Sequence, residues 1–105
     1  MVVRGGVYWL GLDKRRPCVV VSSEDVLSVA LWQTHVVPVT SNLERAGIAG
    51  NVLLPSTVTG LSKDSVAVPL GLVLIDRSLL AEEAGRVPPV LLDDIDDGLR
   101  LVLGN

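Results

Sequence analysis

Two valine-rich runs, Pro17-Cys18-Val19-Val20-Val21 and Val36-Val37-Pro38-Val39, are apolar at nearly every position and carry their polar neighbours at one end. β-Branched runs bounded by turn residues predict buried strands. A first strand is predicted over 5–12, bracketed by glycines, and Pro17 opens the second, where proline costs no ladder bond. Ser22-Ser23-Glu24-Asp25 has the makings of a helix N-terminus for a short turn to about Ala30. The third strand is predicted over 32–42, and Pro38 inside it implies an edge or a bulge. Beyond a polar surface loop over 42–50, strands are predicted over 51–54, 64–68 and 72–76, with a loop over 57–63 between the first two. Ser78 to Ala81 reads as one helical turn, and Arg86-Val87 as a return to the sheet edge.

The last stretch changes period. Leu91, Leu92, Ile95, Leu99, Val102 and Leu103 recur at spacings of three and four, Pro88 and Pro89 suit first positions, and four aspartates fall on the opposite side. Gly98 in mid-helix costs about 1 kcal/mol relative to alanine, which implies a tight packing contact. The connections between strands are mostly too short for parallel crossovers. The predicted fold is α+β and mainly β: five to seven short antiparallel strands, partly closed, with a C-terminal helix packed on them.

At 105 residues the chain is a single domain over 1–105. Its hydrophobic share of 49% is mostly Val and Leu, with no Phe, so the core is built from small branched groups suited to a sheet. No apolar run approaches the roughly 20 residues of a membrane span, and the N-terminus lacks the apolar region of a signal peptide. A cytoplasmic protein is expected. The single cysteine, Cys18, can form no internal disulfide and sits within a valine run as a small buried hydrophobe. Net charge is −3, which argues against a nucleic-acid partner until its distribution is considered. From Pro88 onward four Asp face one Arg, so that segment carries the whole excess and the rest is neutral. Within the neutral part, Lys14-Arg15-Arg16 is the only cationic run.

That run precedes one buried strand, and Thr40-Ser41-Asn42 closes another. If the two strands pair, guanidinium and hydroxyl converge at one sheet edge, an arrangement suited to phosphate, because arginine offers a planar fork of donors and stays charged. His35 is alone in mid-strand and reads as structural. Asp64 and Ser65 cap a loop or border the pocket. Tyr8 and Trp9 point to opposite faces of a strand, one into the core and the other toward an interface or a stacked base.

Five segments in register resemble the MazF/PemK toxin family: Arg4-Gly5-Gly6-Val7-Tyr8-Trp9, Lys14 to Ser22, Val37-Pro38-Val39-Thr40-Ser41-Asn42, Gly60-Leu61-Ser62-Lys63-Asp64-Ser65-Val66 and Ile75-Asp76-Arg77. The resemblance runs from about residue 3 to residue 103. It implies an SH3-like barrel with a C-terminal helix, a homodimer, and an endoribonuclease that cuts single-stranded RNA, often mRNA, without metal or other cofactor. It also implies a cognate MazE-like antitoxin. Carried over by position, the family's essential arginine falls on Arg16 and its essential threonine on Thr40. Lys14, Arg15, Ser41, Asn42, Asp64 and Ser65 are the candidates for substrate contacts. The implied chemistry is attack of the ribose 2′-OH on the adjacent phosphorus, leaving a 2′,3′-cyclic phosphate and a 5′-OH. The chain departs from the family pattern in its short connection after the first strand and in Gly71-Leu72-Val73-Leu74, where a polar Gln-x-Arg-Thr set is common. Two other readings of the fold stay open: a non-enzymatic toxin like the gyrase poison CcdB, which works through a C-terminal tryptophan that Leu103-Gly104-Asn105 lacks, and a member that binds antitoxin without cutting.

Overall fold

The computed structural model describes residues 1–11 and 16–105. Strands β1 (Gly6–Leu10), β2 (Pro17–Val20), β3 (Gln33–Thr40), β4 (Val52–Leu54), β5 (Ser65–Ala67), β6 (Val73–Asp76) and β7 (Leu80–Arg86) form one sheet, and every pairing is antiparallel. Their order is β4-β5-β3-β2-β1-β7, with β6 also on β3. Helices α1 (Glu24–Val29), α2 (Ser56–Thr59) and α3 (Pro89–Leu103) complete the fold with short 3-10 turns at Leu43–Gly47, Pro69–Gly71 and Arg77–Leu79. This is the expected mainly antiparallel half-barrel with its C-terminal helix.

The valine runs are continuous because the central sheet is covered on both faces. Val7, Val19, Val21, Val37 and Val39 point to one side, where they pack with Leu54, Ile95 of α3 and Leu91, Leu92 and Leu99 around it. Tyr8, Cys18, Val20 and Val36 point to the other and close over Leu27 of α1, with Ile75 and Leu80 at the margin. Alternate residues therefore feed two cores.

Strand β3 changes partner along its length. Gln33 to Val36 pair with β6, Val39 and Thr40 pair with β5, and β2 runs along the other side through Cys18↔Pro38. Pro38 lies where β6 has ended and β5 begins. Its carbonyl accepts the Val68 N–H at 2.9 Å, so its nitrogen also faces that seam, where no ladder donor is required. The expected edge or bulge is thus corrected: Pro38 stands inside a central strand, at a junction between two neighbours. Gly71 closes the seam, since a methyl group there would lie 2.5 Å from Pro38 Cγ.

Two further expectations change. β7 is a full strand over Leu80–Arg86, whereas the sequence pointed only to its last residue. Leu-Ala-Glu-Glu-Ala-Gly-Arg has no β-branched residue, and it becomes a strand because β1 offers an edge. Its register with β1 skips Ala84, with Val7 opposite Gly85 and Tyr8 opposite Glu83. Residues expected as loop form the single turn of α2, launched by Pro55 and ended by Gly60 at φ +76°.

The capping and packing signals hold. Ser23 Oγ caps α1 by accepting the Val26 N–H at 3.2 Å. Gly98 presses α3 against the Gly50 main chain. Arg4 donates to the Val21 carbonyl and to Asp96, tying the N-terminal turn to α3 through a half-buried ion pair. Asp96 is therefore committed, while Asp93, Asp94 and Asp97 face solvent as expected.

Candidate RNA-binding groove

The β2–β3 register decides where the candidate residues fall. Cys18↔Pro38, Val19↔Val37 and Val20↔Val36 are partners, and the same register continued outward sets Arg16 opposite Thr40. Arg16 is held through its main chain, whose carbonyl accepts the Leu10 N–H at 2.9 Å from β1. Thr40 closes β3 opposite Val66 of β5. Its Oγ1 accepts the Asn42 N–H at 3.2 Å, which leaves the hydroxyl proton to donate outward.

Both residues open onto a groove of about 860 Å³. Its apolar lining is Trp9, Pro17, Pro38, Val39, Leu61 and Val68; its polar lining is Arg16, Thr40, Ser41, Arg45, Ser62, Lys63 and Ser65. Among the described residues, three cations and no carboxylate line it. An acidic protein thus presents a positive concavity, because its excess aspartates sit on α3. Such a wall attracts polyanions whatever the net charge. Trp9 supplies a π-surface on which a base can stack.

Of the sequence candidates, Arg16, Thr40, Ser41 and Ser65 are brought together here. Asn42 and Asp64 serve the backbone instead. Asn42 Oδ1 accepts the Glu44 N–H at 3.2 Å and starts the 43–47 turn, and Asp64 Oδ1 accepts the Ser56 N–H at 2.8 Å at the head of α2. Neither lines the groove. Lys14 and Arg15 lie outside the described residues. Tyr8 and Trp9 divide as expected: Tyr8 is buried with its hydroxyl donating to the Met1 carbonyl at 3.2 Å, and Trp9 faces the groove.

The sequence reading missed Arg45, Ser62 and Lys63. Lys63 and Ser62 stand inside the Gly60 to Val66 segment, so their signal was present; Arg45 had none, being a lone cation in a polar loop. His35 is exposed on β3 with Nδ1 3.2 Å from Ser22 Oγ, and it does not reach the groove. Among the described residues no group of three His, Cys, Asp or Glu side chains gathers to hold a metal ion. Burial pushes the Cys18 thiol up to about 12, so it is a protonated, unreactive core group. Burial, then the nearby Glu83 carboxylate, raises the Tyr8 phenol above its ordinary value.

Residues 3–103 match the family described as PemK-like, MazF-like toxin of type II toxin-antitoxin system. The chain is 34% identical over 111 residues to Endoribonuclease MazF6 of Mycobacterium tuberculosis, covering 98% of this chain and 97% of the relative. Endoribonuclease MazF9 of the same organism is 33% identical over 115 residues, with the same coverage. Among solved structures, MazE-MazF (Form-I) from Deinococcus radiodurans superposes with a TM-score of 0.81 at 29% identity, covering 100% of this chain and 99% of that one. A mycobacterial endoribonuclease in complex with its cognate antitoxin has a TM-score of 0.83 at 21% identity, over 99% of this chain and 96% of that one, a likeness of fold.

Proposed function

This chain belongs to the PemK-like, MazF-like toxin family of type II toxin-antitoxin systems, and on that footing we propose that it cuts single-stranded RNA in the groove where Arg16 faces Thr40. It is an endoribonuclease toxin whose partners are RNA and a MazE-like antitoxin. The observation that supports this reading of the site is the β2–β3 register, which continued outward brings one permanently charged fork and one hydroxyl to a groove lined, among the described residues, by cations and no carboxylate.

The chemistry follows from what the groups can do. The 2′-oxygen bonds to phosphorus while the bond to the 5′-oxygen breaks, giving the 2′,3′-cyclic phosphate and a 5′-OH. Negative charge gathers on the non-bridging oxygens as this happens. Arg16, charged at any working pH, stabilises that charge through paired N–H donors and is a poor base. The Thr40 hydroxyl, fixed by the Asn42 N–H, orients a phosphate oxygen or the attacking 2′-OH.

The chain acts in the cytoplasm as a homodimer, restrained by its antitoxin. No helix among the described residues is long and apolar enough to cross a membrane. An acidic, extended antitoxin tail suits the cationic groove.

The test is incubation of pure protein with total RNA in EDTA, wild type beside Arg16→Ala, with the ends mapped. Wild type leaves cyclic phosphates at a short recurring sequence. Arg16→Ala falls by about 10²- to 10³-fold, the scale for removing a charge-stabilising donor. An Arg16→Ala variant that cuts as fast as wild type, with the same ends, removes the assignment.

A further inference from the structure

Resting on the reading of the groove as an RNA site, we infer that Arg45 and Lys63 hold backbone phosphates next to the scissile one, as charges that bind substrate and take no part in bond cleavage. The inference begins with what the other cations do. Among the described residues, every arginine away from the groove is bonded within the protein. Arg4 holds Asp96, Arg86 holds Glu83 at 3.2 Å, Arg100 holds Asp97 at 2.7 Å, and Arg77 donates to the carbonyls of Gln33 and Leu27 at 3.2 and 2.6 Å. The side chains of Arg45 and Lys63 enter none of these described bonds, and both line the groove.

Their neighbouring acids do not neutralise them there. Asp64, next to Lys63 in sequence, has Oδ1 on the Ser56 N–H at 2.8 Å, and neither it nor Glu44 lines the groove. The two backbones are nevertheless fixed. The Arg45 carbonyl accepts the Asn51 side-chain amide at 3.0 Å and the Ile48 N–H at 3.2 Å, and the Lys63 carbonyl accepts the Ser65 hydroxyl at 3.1 Å. The main chain thus sets two exposed cations at the rim and leaves their charges uncommitted within the fold. A ligand with one negative charge per residue is what such a rim complements, and each phosphate neutralised releases condensed counterions.

The test measures affinity against salt for a short single-stranded RNA that carries the mapped cut site and 2′-O-methyl groups, so that it binds without being cut. Proteins compared are wild type, Arg45→Gln, Lys63→Gln, the double variant, Arg45→Lys, and Arg100→Gln as a cation outside the groove. Arg45→Gln and Lys63→Gln each lower the slope of log affinity against log salt by about 0.7 and weaken binding about fourfold at 0.15 M salt, and the double variant lowers it by about 1.4 and weakens binding about 14-fold, whatever the flanking sequence. Arg45→Lys and Arg100→Gln keep the wild-type slope. On cuttable RNA the loss falls on KM and not on kcat. Variant slopes equal to that of a wild type that cuts RNA overturn the inference alone, as does a loss confined to kcat. A wild type that neither binds nor cuts any RNA removes the reading of the groove itself.

Discussion

Replacing Gly98 by alanine sets two opposed terms against each other. On helix propensity the change stabilises α3 by about 1 kcal/mol. The structure opposes it. The new methyl would stand 2.2 Å from the Gly50 carbonyl oxygen and 2.8 Å from Pro69 Cγ, inside the 3.0 Å below which such carbons are essentially never found. The first obstacle is backbone, the carbonyl of Gly50, and not the far end of a flexible side chain. Something must therefore move by roughly the 0.8 Å difference, at the junction of α3, β4 and the 69–71 turn. Overpacking costs about 1–3 kcal/mol, and an obstacle of main chain belongs at the upper end. The net expectation is a loss of about 1–2 kcal/mol, or roughly 4–16 °C in Tm for a domain of this size. Urea unfolding followed by circular dichroism measures it, with Gly47→Ala as control, since a methyl at Gly47 meets nothing within 4 Å. A Gly98→Ala protein as stable as wild type, with Gly47→Ala unchanged, refutes the close-contact reasoning.

Three other outcomes are expected. The buried Cys18 thiol, pushed up to about 12 from an unfolded value near 8.5, holds its proton more tightly in the folded state; its contribution is complete below about pH 8.5 and is lost as pH rises toward 12, at up to about 1.4 kcal/mol per unit. Urea midpoints at rising alkaline pH should fall, with Tyr8 adding its share in the same direction, and Cys18→Ala should flatten part of the slope. Binding of non-cleavable RNA should quench the fluorescence of Trp9 and not that of Trp32, which is 83% exposed outside the groove, so the quench survives Trp32→Phe and disappears with Trp9→Leu. Thr40→Val removes the outward proton and the acceptor for the Asn42 N–H together; cleavage should drop about 10- to 100-fold with Tm little changed, and Thr40→Ser should restore most of it.

What could be read from the sequence was whatever depends on local pattern. The β2 and β3 valine runs, the three-and-four spacing of α3 and the Gly98 contact are all periodic or compositional signals, whereas Arg16 and Thr40, which stand at the ends of such runs, were singled out by the resemblance to the MazF/PemK family. β7 escaped because its residues have no strand preference and only the β1 edge makes them a strand. Asn42 and Asp64 stand in segments that resemble the family; both are short oxygen-bearing side chains, Asn42 is claimed by the Glu44 amide, and of the two readings open for Asp64 the capping one holds, on the Ser56 amide. Arg45 reaches the groove from a loop far in sequence from the other candidates, which is a property of the fold's closure and leaves no trace in spacing, whereas Lys63 lay unused inside the Gly60 to Val66 segment. The apolar Leu72-Val73-Leu74 segment also makes sense only in three dimensions, because β6 pairs with the far half of β3 and Gly71 makes room for the Pro38 ring.

The seam at Pro38 acts as a registration pin. Its missing donor is harmless only where one neighbour has stopped and the next begins, so sliding β3 by two residues would set a ring against a carbonyl that needs a partner and leave Gly71 beside empty space. Sliding by one would turn every side chain over and drive Thr40 inward. A single imino acid thereby indexes the whole strand, and the alignment of hydroxyl with guanidinium two residues further on is inherited from it.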